Sequence, residues 1–328
     1  MKKIIVMVLL TLSLMSCTKK EVSKAKYSDS IPLEFNFMQS KTLQDLRNFD
    51  TLYLSAKTNT KLSNDGRRAL VAVADVAGLV NGSSDGSSIG FWAGWFLGNP
   101  VAGKVIGGII GGLMVGVAYS VVTSNILRNT ANVSAEEMYN NTVMSLVLSG
   151  QLECLSVTED NSIIINIKES MPRLPIVLPE EEDKEALFIG QTHNMAVDVM
   201  LNVNQEPIVE TKSFTVSETK IDDNILKVLY SDELKHAFMD NYNYFLDISD
   251  NKSNDALINI EKSGIGGIII KNYLQLHESY VETTSESIEI TNGYIQIVNS
   301  SQELTQEEKQ IITSALTLAS YSTDLWTN

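Results

Sequence analysis

Cysteine is almost missing from this chain: 328 residues hold two, Cys17 and Cys154. With so few thiols and no CxxC pair, a disulfide framework and a zinc knuckle are excluded, and stability has to come from burial. Histidine is nearly as scarce, at positions 193, 236 and 277. No two of them stand at metal-ligand spacing on one helix face, so neither a metal nor a cofactor is expected. Of the six prolines, three fall between residues 172 and 183, leaving most of the chain free of helix breakers. Basic residues are outnumbered, 25 Lys and Arg against 40 Asp and Glu, for a formal charge of −15. No basic patch with interleaved aromatics exists, which argues against nucleic acid and against electrostatic docking on anionic lipid. No internal period of about 20–50 residues marks a solenoid.

Catalytic signatures are equally thin. Gly82-Ser83-Ser84-Asp85-Gly86 matches the nucleophile-elbow string, with Ser84 as the nucleophile. That chemistry needs a strand, a strained turn and a helix, followed by an acid and a His. Both glycines belong instead to a regular four-residue series described below. Asp250 to Glu261 has the length of an EF-hand loop, but Lys252 replaces a ligand and Asp255 the required glycine. Glu180 to Asp183 reads as a solvated acidic loop, and each histidine as a structural residue. Thr192-His193-Asn194 is expected to begin a helix, with Thr or Asn as its cap.

What is present begins with the first sixteen residues. Lys2 and Lys3 precede the apolar run Ile4 to Leu14, which has the layout of a signal peptide and is too short to span a bilayer comfortably. Leu14-Met15-Ser16-Cys17 follows. This string resembles the lipobox of bacterial lipoproteins: an aliphatic residue, a tolerant position, a small residue, then the cysteine. The resemblance implies cleavage before Cys17, a diacylglycerol on its sulfur and acylation of the new amino group. Several acyl chains give stable anchoring where one is marginal. Residues 17–31 are then a lipidated tether, polar and poor in apolar groups. The run after the cysteine, Thr18-Lys19-Lys20-Glu21, lacks the acidic cluster that some surface lipoproteins carry. The resemblance therefore places the body in the cell envelope, on the outer membrane facing the periplasm, with surface exposure as the alternative.

The strongest pattern is made of glycine. Gly78, Gly82, Gly86, Gly90, Gly94 and Gly98 stand at strict four-residue spacing; after Asn99-Pro100 come Gly103, Gly107 and Gly111, interleaved with Gly108, Gly112 and Gly116. Charge avoids the same region: between Gly66 and Leu127 only Arg67, Arg68, Asp75, Asp85 and Lys104 are charged. A glycine inside a helix costs roughly 1 kcal/mol relative to alanine, so twelve cost about as much as a whole domain's stability. Close helix–helix approach is the compensation that such a series can supply. Residues 66–128 are read as an antiparallel helical hairpin, with arms near 67–98 and 101–127 and the turn at Asn99-Pro100. It resembles the glycine-zipper segments of bacterial envelope proteins and of some membrane-active bacteriocins.

Three placements of the hairpin are open. It packs on the protein's own body, it inserts into a bilayer on a trigger or by association, or its first arm is a glycine loop. Residues 101–123 are long enough to span about 34 Å. The first arm carries Asp85, which costs ~3 kcal/mol near a bilayer centre, so a permanent two-span hairpin is not expected. Four-residue steps also drift about 40° each around a helix, so one straight partner cannot cover all six glycines.

The remainder of the chain reads as a mainly α body with a minor β-hairpin. Residues 32–65 form its N-terminal segment, with a short helix near 40–49 and a strand near 51–56. Residues 129–328 are mainly helical, with a β-hairpin in 151–168 and a loop at 172–184. Helices are expected at 134–150, 192–203, 221–238 and 267–297, the last interrupted at Gly293, and after Thr305. Ser134 with Glu137 and Thr305 with Glu308 have capping-box spacing. The function this implies is that of a non-enzymatic, membrane-anchored lipoprotein whose zipper mediates helix packing, with itself or with an envelope partner. The alternatives are a membrane-inserting, toxin-like effector and a hydrolase.

Overall fold

The computed structural model describes residues 40–56, 71–83, 100–158, 163–167, 173–179, 183–203, 220–249 and 264–327. The lipobox, Cys17, the tether, Ser84, Gly86, Gly90, Gly94, Gly98 and the 250–261 loop lie outside these residues. Among the described residues the fold is mainly helical with one two-stranded antiparallel sheet. Its ten helices are α1 (Lys41–Ala56), α2 (Val71–Ser83), α3 (Pro100–Leu127), α4 (Ala135–Leu148), α5 (Asp183–Val203), α6 (Asp223–Leu229), α7 (Asp232–Ser249), α8 (Gly264–Tyr280), α9 (Thr284–Ser300) and α10 (Gln306–Thr327). The strands β1 (Leu155–Val157) and β2 (Ile163–Ile165) pair with Ser156 opposite Ile164.

Two helices run through the middle of the body. In α3 every residue from Ile106 to Val122 is buried, and 94% of its most apolar window is inside the protein. In α10 every residue from Ile312 to Thr323 is buried. A helix buried all round has no solvated stripe, and its sequence shows none. The Lys104–Glu307 ion pair (3.5 Å) joins the first turns of α3 and α10, and Arg128 lies over the Trp326 ring (5.9 Å) at their far ends. These two contacts set α3 and α10 parallel. Helix α5 packs on both, while α4, α6 and α7 cover α3 and α8 and α9 cover α10. Tyr119 of α3 stacks on Phe245 of α7 (centroids 3.8 Å apart) and donates to the Asn241 carbonyl at 3.1 Å.

Local signals explain most boundaries. Helix α3 ends at Asn129, which adopts a left-handed φ of 59° while the Thr130 N–H returns to the Asn125 carbonyl. Ser134 caps α4 by accepting from the Glu137 N–H, and Thr305 and Glu308 close a reciprocal capping box at α10. Asp222 accepts from Asn224 N–H at the start of α6 and from Val157 N–H on β1, tying the sheet to the helices.

Several expected boundaries are corrected. Residues 51–56 continue α1 and form no strand; this segment buries a helical stripe through Leu43, Leu46 and Tyr53. Helix α5 starts at Asp183, within the expected 172–184 loop and nine residues before 192. Thr192, His193 and Asn194 therefore lie in its interior and cap nothing. The expected 221–238 helix is two, α6 and α7, because Ser231 restarts the chain by accepting from the Leu234 N–H. The 267–297 helix is also two, but its break falls at 281–283, where Thr283 and Glu286 form a further capping box. Gly293 interrupts nothing. It lies inside α9, where a Cβ would meet the Phe49 ring of α1.

Candidate functional site

The glycine seam lies where α2 meets α3. A Cβ on Gly78 would sit 2.7 Å from the Gly116 Cα, 2.8 Å from its nitrogen and 2.8 Å from the Val115 carbonyl oxygen. One on Gly82 would strike the Gly111 carbonyl, and one on Gly112 would meet Ser83 Oγ and the Leu79 side chain. Gly78 faces Gly116 while Gly82 faces Gly111, so α2 and α3 run antiparallel with their backbones in contact. Gly107, Gly108, Gly111 and Gly112 are all within the buried stretch of α3, and Gly103 lies in its first turn. Gly116 differs from Gly78: around its open Cβ direction lie Asp75 O at 3.5 Å and His193 Cδ2 at 3.6 Å. Two partners, α2 and α5, therefore meet α3 at Gly116.

At that junction sits a buried ion pair. Asp75 of α2 and His193 of α5 are each 0% exposed, and His193 Nε2 lies 3.6 Å from Asp75 Oδ2. The other ring nitrogen, Nδ1, is 3.2 Å from Asn194 Oδ1. The Asn194 amide is fixed in orientation, because its Nδ2 donates to the Tyr321 carbonyl of α10 at 2.6 Å. His193 thus has an oxygen near each ring nitrogen, Asn194 Oδ1 within hydrogen-bonding distance of Nδ1 and Asp75 Oδ2 at ion-pair distance from Nε2. Burial pushes the His193 pKa down, but the Asp75 charge, with help from Asn194 and the Gly116 backbone, outweighs this and holds it above the ordinary histidine range. One residue set therefore joins α2, α3, α5 and α10.

A second polar cluster lies between α8, α9 and α10. His277 Nε2 is 2.9 Å from Ser287 Oγ and 3.1 Å from Thr323 Oγ1. Ser320 Oγ is 3.0 Å from Ser287 Oγ and 2.6 Å from Thr291 Oγ1, and Thr291 in turn is 2.7 Å from the Tyr273 hydroxyl. Burial pushes the His277 pKa down to about 4, which favours the neutral ring, and the Thr323 hydroxyl donates to the Ala319 carbonyl. The two buried histidines are thus shifted in opposite directions by different surroundings.

Small residues recur at other helix crossings. Gly190 of α5 lies under the Tyr321 ring of α10, and Gly266 of α8 lies against Ile312. Two notches, at Gly190 and Gly293, each admit a ring.

The remaining candidates are dispersed. Gly82 and Ser83 are in helix α2, not after a strand, so that half of the nucleophile-elbow string lacks the geometry the chemistry needs. Cys154 is buried and free. Among the described residues no group of three or more His, Cys, Asp or Glu side chains could hold a metal ion. The sequence did carry a signal for the Asp75–His193 pair: Asp75 is the lone acid in the apolar run Ala69–Val80, and a buried acid requires a partner. Nothing in the sequence pointed to which cation. Comparison with protein-family models, curated proteins and solved structures gives no match for this chain.

Proposed function

We propose that this chain is a non-enzymatic lipoprotein of the bacterial envelope. Cys17 anchors it to a membrane by lipid, and a glycine-zipper hairpin of α2 and α3 serves as the internal packing seam of its helical body. The observation that carries the reading is the enclosure of α3. This helix is long and apolar enough to cross a bilayer, yet the protein's own helices surround it. A helix serving as a permanent anchor would present apolar side chains outward, whereas every residue of α3 from Ile106 to Val122 is buried. The membrane partner is then the lipid on Cys17, and the body is held off the bilayer on residues 17–31.

A second reading has one observation in its favour. From Val105 to Leu127 the sequence has no charge, and Lys104 and Arg128 bracket it, as a spanning segment's ends would be. On this reading α2 and α3 leave the body and enter a target membrane, as in a toxin-like effector.

Carbonate extraction and protease mapping of a Cys17→Ala chain separate the two. The first reading expects a soluble protein whose residues 71–83 and 100–127 are protected only while it is folded. Retention in the membrane with residues 100–127 protected overturns it in favour of the second. The second reading expects leakage from anionic or neutral liposomes that Gly107→Leu or Gly111→Leu abolishes, and the absence of leakage across pH and lipid composition removes it.

A further inference from the structure

We infer that the Asp75–His193 pair is a pH-sensitive latch that holds the zipper arm α2 on the body, closed while His193 is an imidazolium and loosened when it loses its proton. The inference rests on the reading of α2 and α3 as an internal seam and adds a control to it. Its first support is geometric. His193 faces an oxygen at each ring nitrogen, Asn194 Oδ1 in a hydrogen bond at 3.2 Å and Asp75 Oδ2 in a charge contact at 3.6 Å, and the hydrogen bond from Asn194 Nδ2 to Tyr321 O prevents the Asn194 amide from turning its donor toward the ring. A neutral imidazole has one donor, so deprotonation would set a bare ring nitrogen against an oxygen. It would also leave Asp75 facing an uncharged ring in a site of 0% exposure, where a buried acid without a cationic partner is expensive.

Among the described residues the ion-pair partner of Asp75 is His193. Helix α2 contributes Asp75, and α3 carries no charge from Val105 to Leu127 and presents the Gly116 backbone. The titratable residue of α3 in this region, Tyr119, donates its hydroxyl to Asn241 O, away on α7. From α10 comes Tyr321, whose ring covers Gly190 and whose hydroxyl accepts from the Leu174 N–H. The acids of α4, Glu136 and Glu137, are exposed in its first turn. Among these groups His193 is the cation that balances Asp75.

The site of the pair gives it leverage. It sits level with Gly116, one helical turn from the Gly78 contact, where α2 touches both α3 and α5. A group whose folded pKa is raised stabilises the fold fully below its unfolded pKa and loses that contribution as pH rises through the folded value. Each unit of difference is about tenfold in the opening equilibrium.

The test uses the full chain with histidine rings labelled for NMR. His193 is assigned by elimination with His236→Gln and His277→Gln. The latch expects the His193 ring to stay doubly protonated to well above pH 6.5. It also expects hydrogen exchange in residues 71–83, corrected for intrinsic rates, to accelerate at least ~10-fold between about pH 6 and 9. Asp75→Asn is expected to drop the His193 titration to or below the ordinary range and to flatten that pH dependence. A wild-type ring titrating at or below about 6.5, or exchange of α2 that does not respond to pH, overturns the latch. Both wild-type measurements decide the matter even where a variant fails to fold. Failure of the internal-seam reading would show separately, as membrane retention of the Cys17→Ala chain.

Discussion

Gly78 of α2 rests directly on the backbone of Gly116 of α3, yet the two glycines are not equivalent. The Cβ direction of Gly78 points into main-chain atoms at 2.7–2.8 Å, and that of Gly116 points into ordinary contacts at 3.5–3.8 Å. Backbone cannot swing aside as a side chain can, so Gly78→Ala must separate the helices. We expect Gly78→Ala to destabilise the fold by about 3 kcal/mol or more. Gly116→Ala, with room for a methyl, is expected to be neutral or to stabilise by up to about 1 kcal/mol through helix propensity. Urea unfolding of both variants checks the contrast, and equal losses would contradict the seam geometry.

The same logic applies where α1 meets α9. Phe49 fills the notch at Gly293 and makes an edge contact with Tyr294 at 5.8 Å, while the Tyr294 hydroxyl donates to Asp50 at 2.9 Å. Gly293→Ala is expected to cost about 1–3 kcal/mol by overpacking. Combining it with Phe49→Leu should cost less than the two changes added together. A double-mutant cycle measures the coupling, and strict additivity would show that the ring does not occupy the notch.

Glu303 lies 262 residues from Lys41 in sequence, yet its carboxylate accepts from the Lys41 N–H at 2.8 Å and the Thr42 N–H at 3.2 Å. It thus caps α1 from outside the helix. Glu303→Ala is expected to cost about 1 kcal/mol and to raise hydrogen exchange at the first amides of α1 while leaving α10 unchanged. Exchange spread evenly over the whole body would count against a local cap.

His277 predicts acid lability. Its folded pKa, about 4, lies below the unfolded value near 6.5. The folded state therefore binds fewer protons. Stability from this site is present above about pH 6.5 and is lost as pH falls toward 4, by on the order of 2–3 kcal/mol. In His277→Gln, where an amide can still hydrogen-bond to Ser287, this part of the acid slope should vanish. An unchanged slope between about pH 6.5 and 4 would assign it to other groups. The His193 effect has the opposite sign, with stability lost as pH rises through its raised folded value.

Much of the helix content was legible because helix formation is written in local chemistry. The 3.6-residue stripes, the Ser134 and Thr305 caps, and the β-branched run at 163–165 lie within a few residues of what they determine. Breaks were harder. Gly293 reads as an interruption when the chain is considered alone, and only the Phe49 ring opposite explains why a glycine belongs inside α9. The start of α5 was obscured because Gly190 weakens the local signal, while the Tyr321 ring that makes use of it stands 131 residues away.

The sequence by itself determined that a four-residue glycine series had to be compensated by close backbone approach, since glycine in a helix carries an entropic cost that local structure cannot recover. Only the tertiary structure decided who the partners are: Gly116 and Gly111 on α3 for the seam, and His193 of α5, oriented through Asn194, for the acid. Those choices depend on which helices cross and at what register. They are set by the packing of the whole body around α3 and α10, and no window of the sequence contains that information.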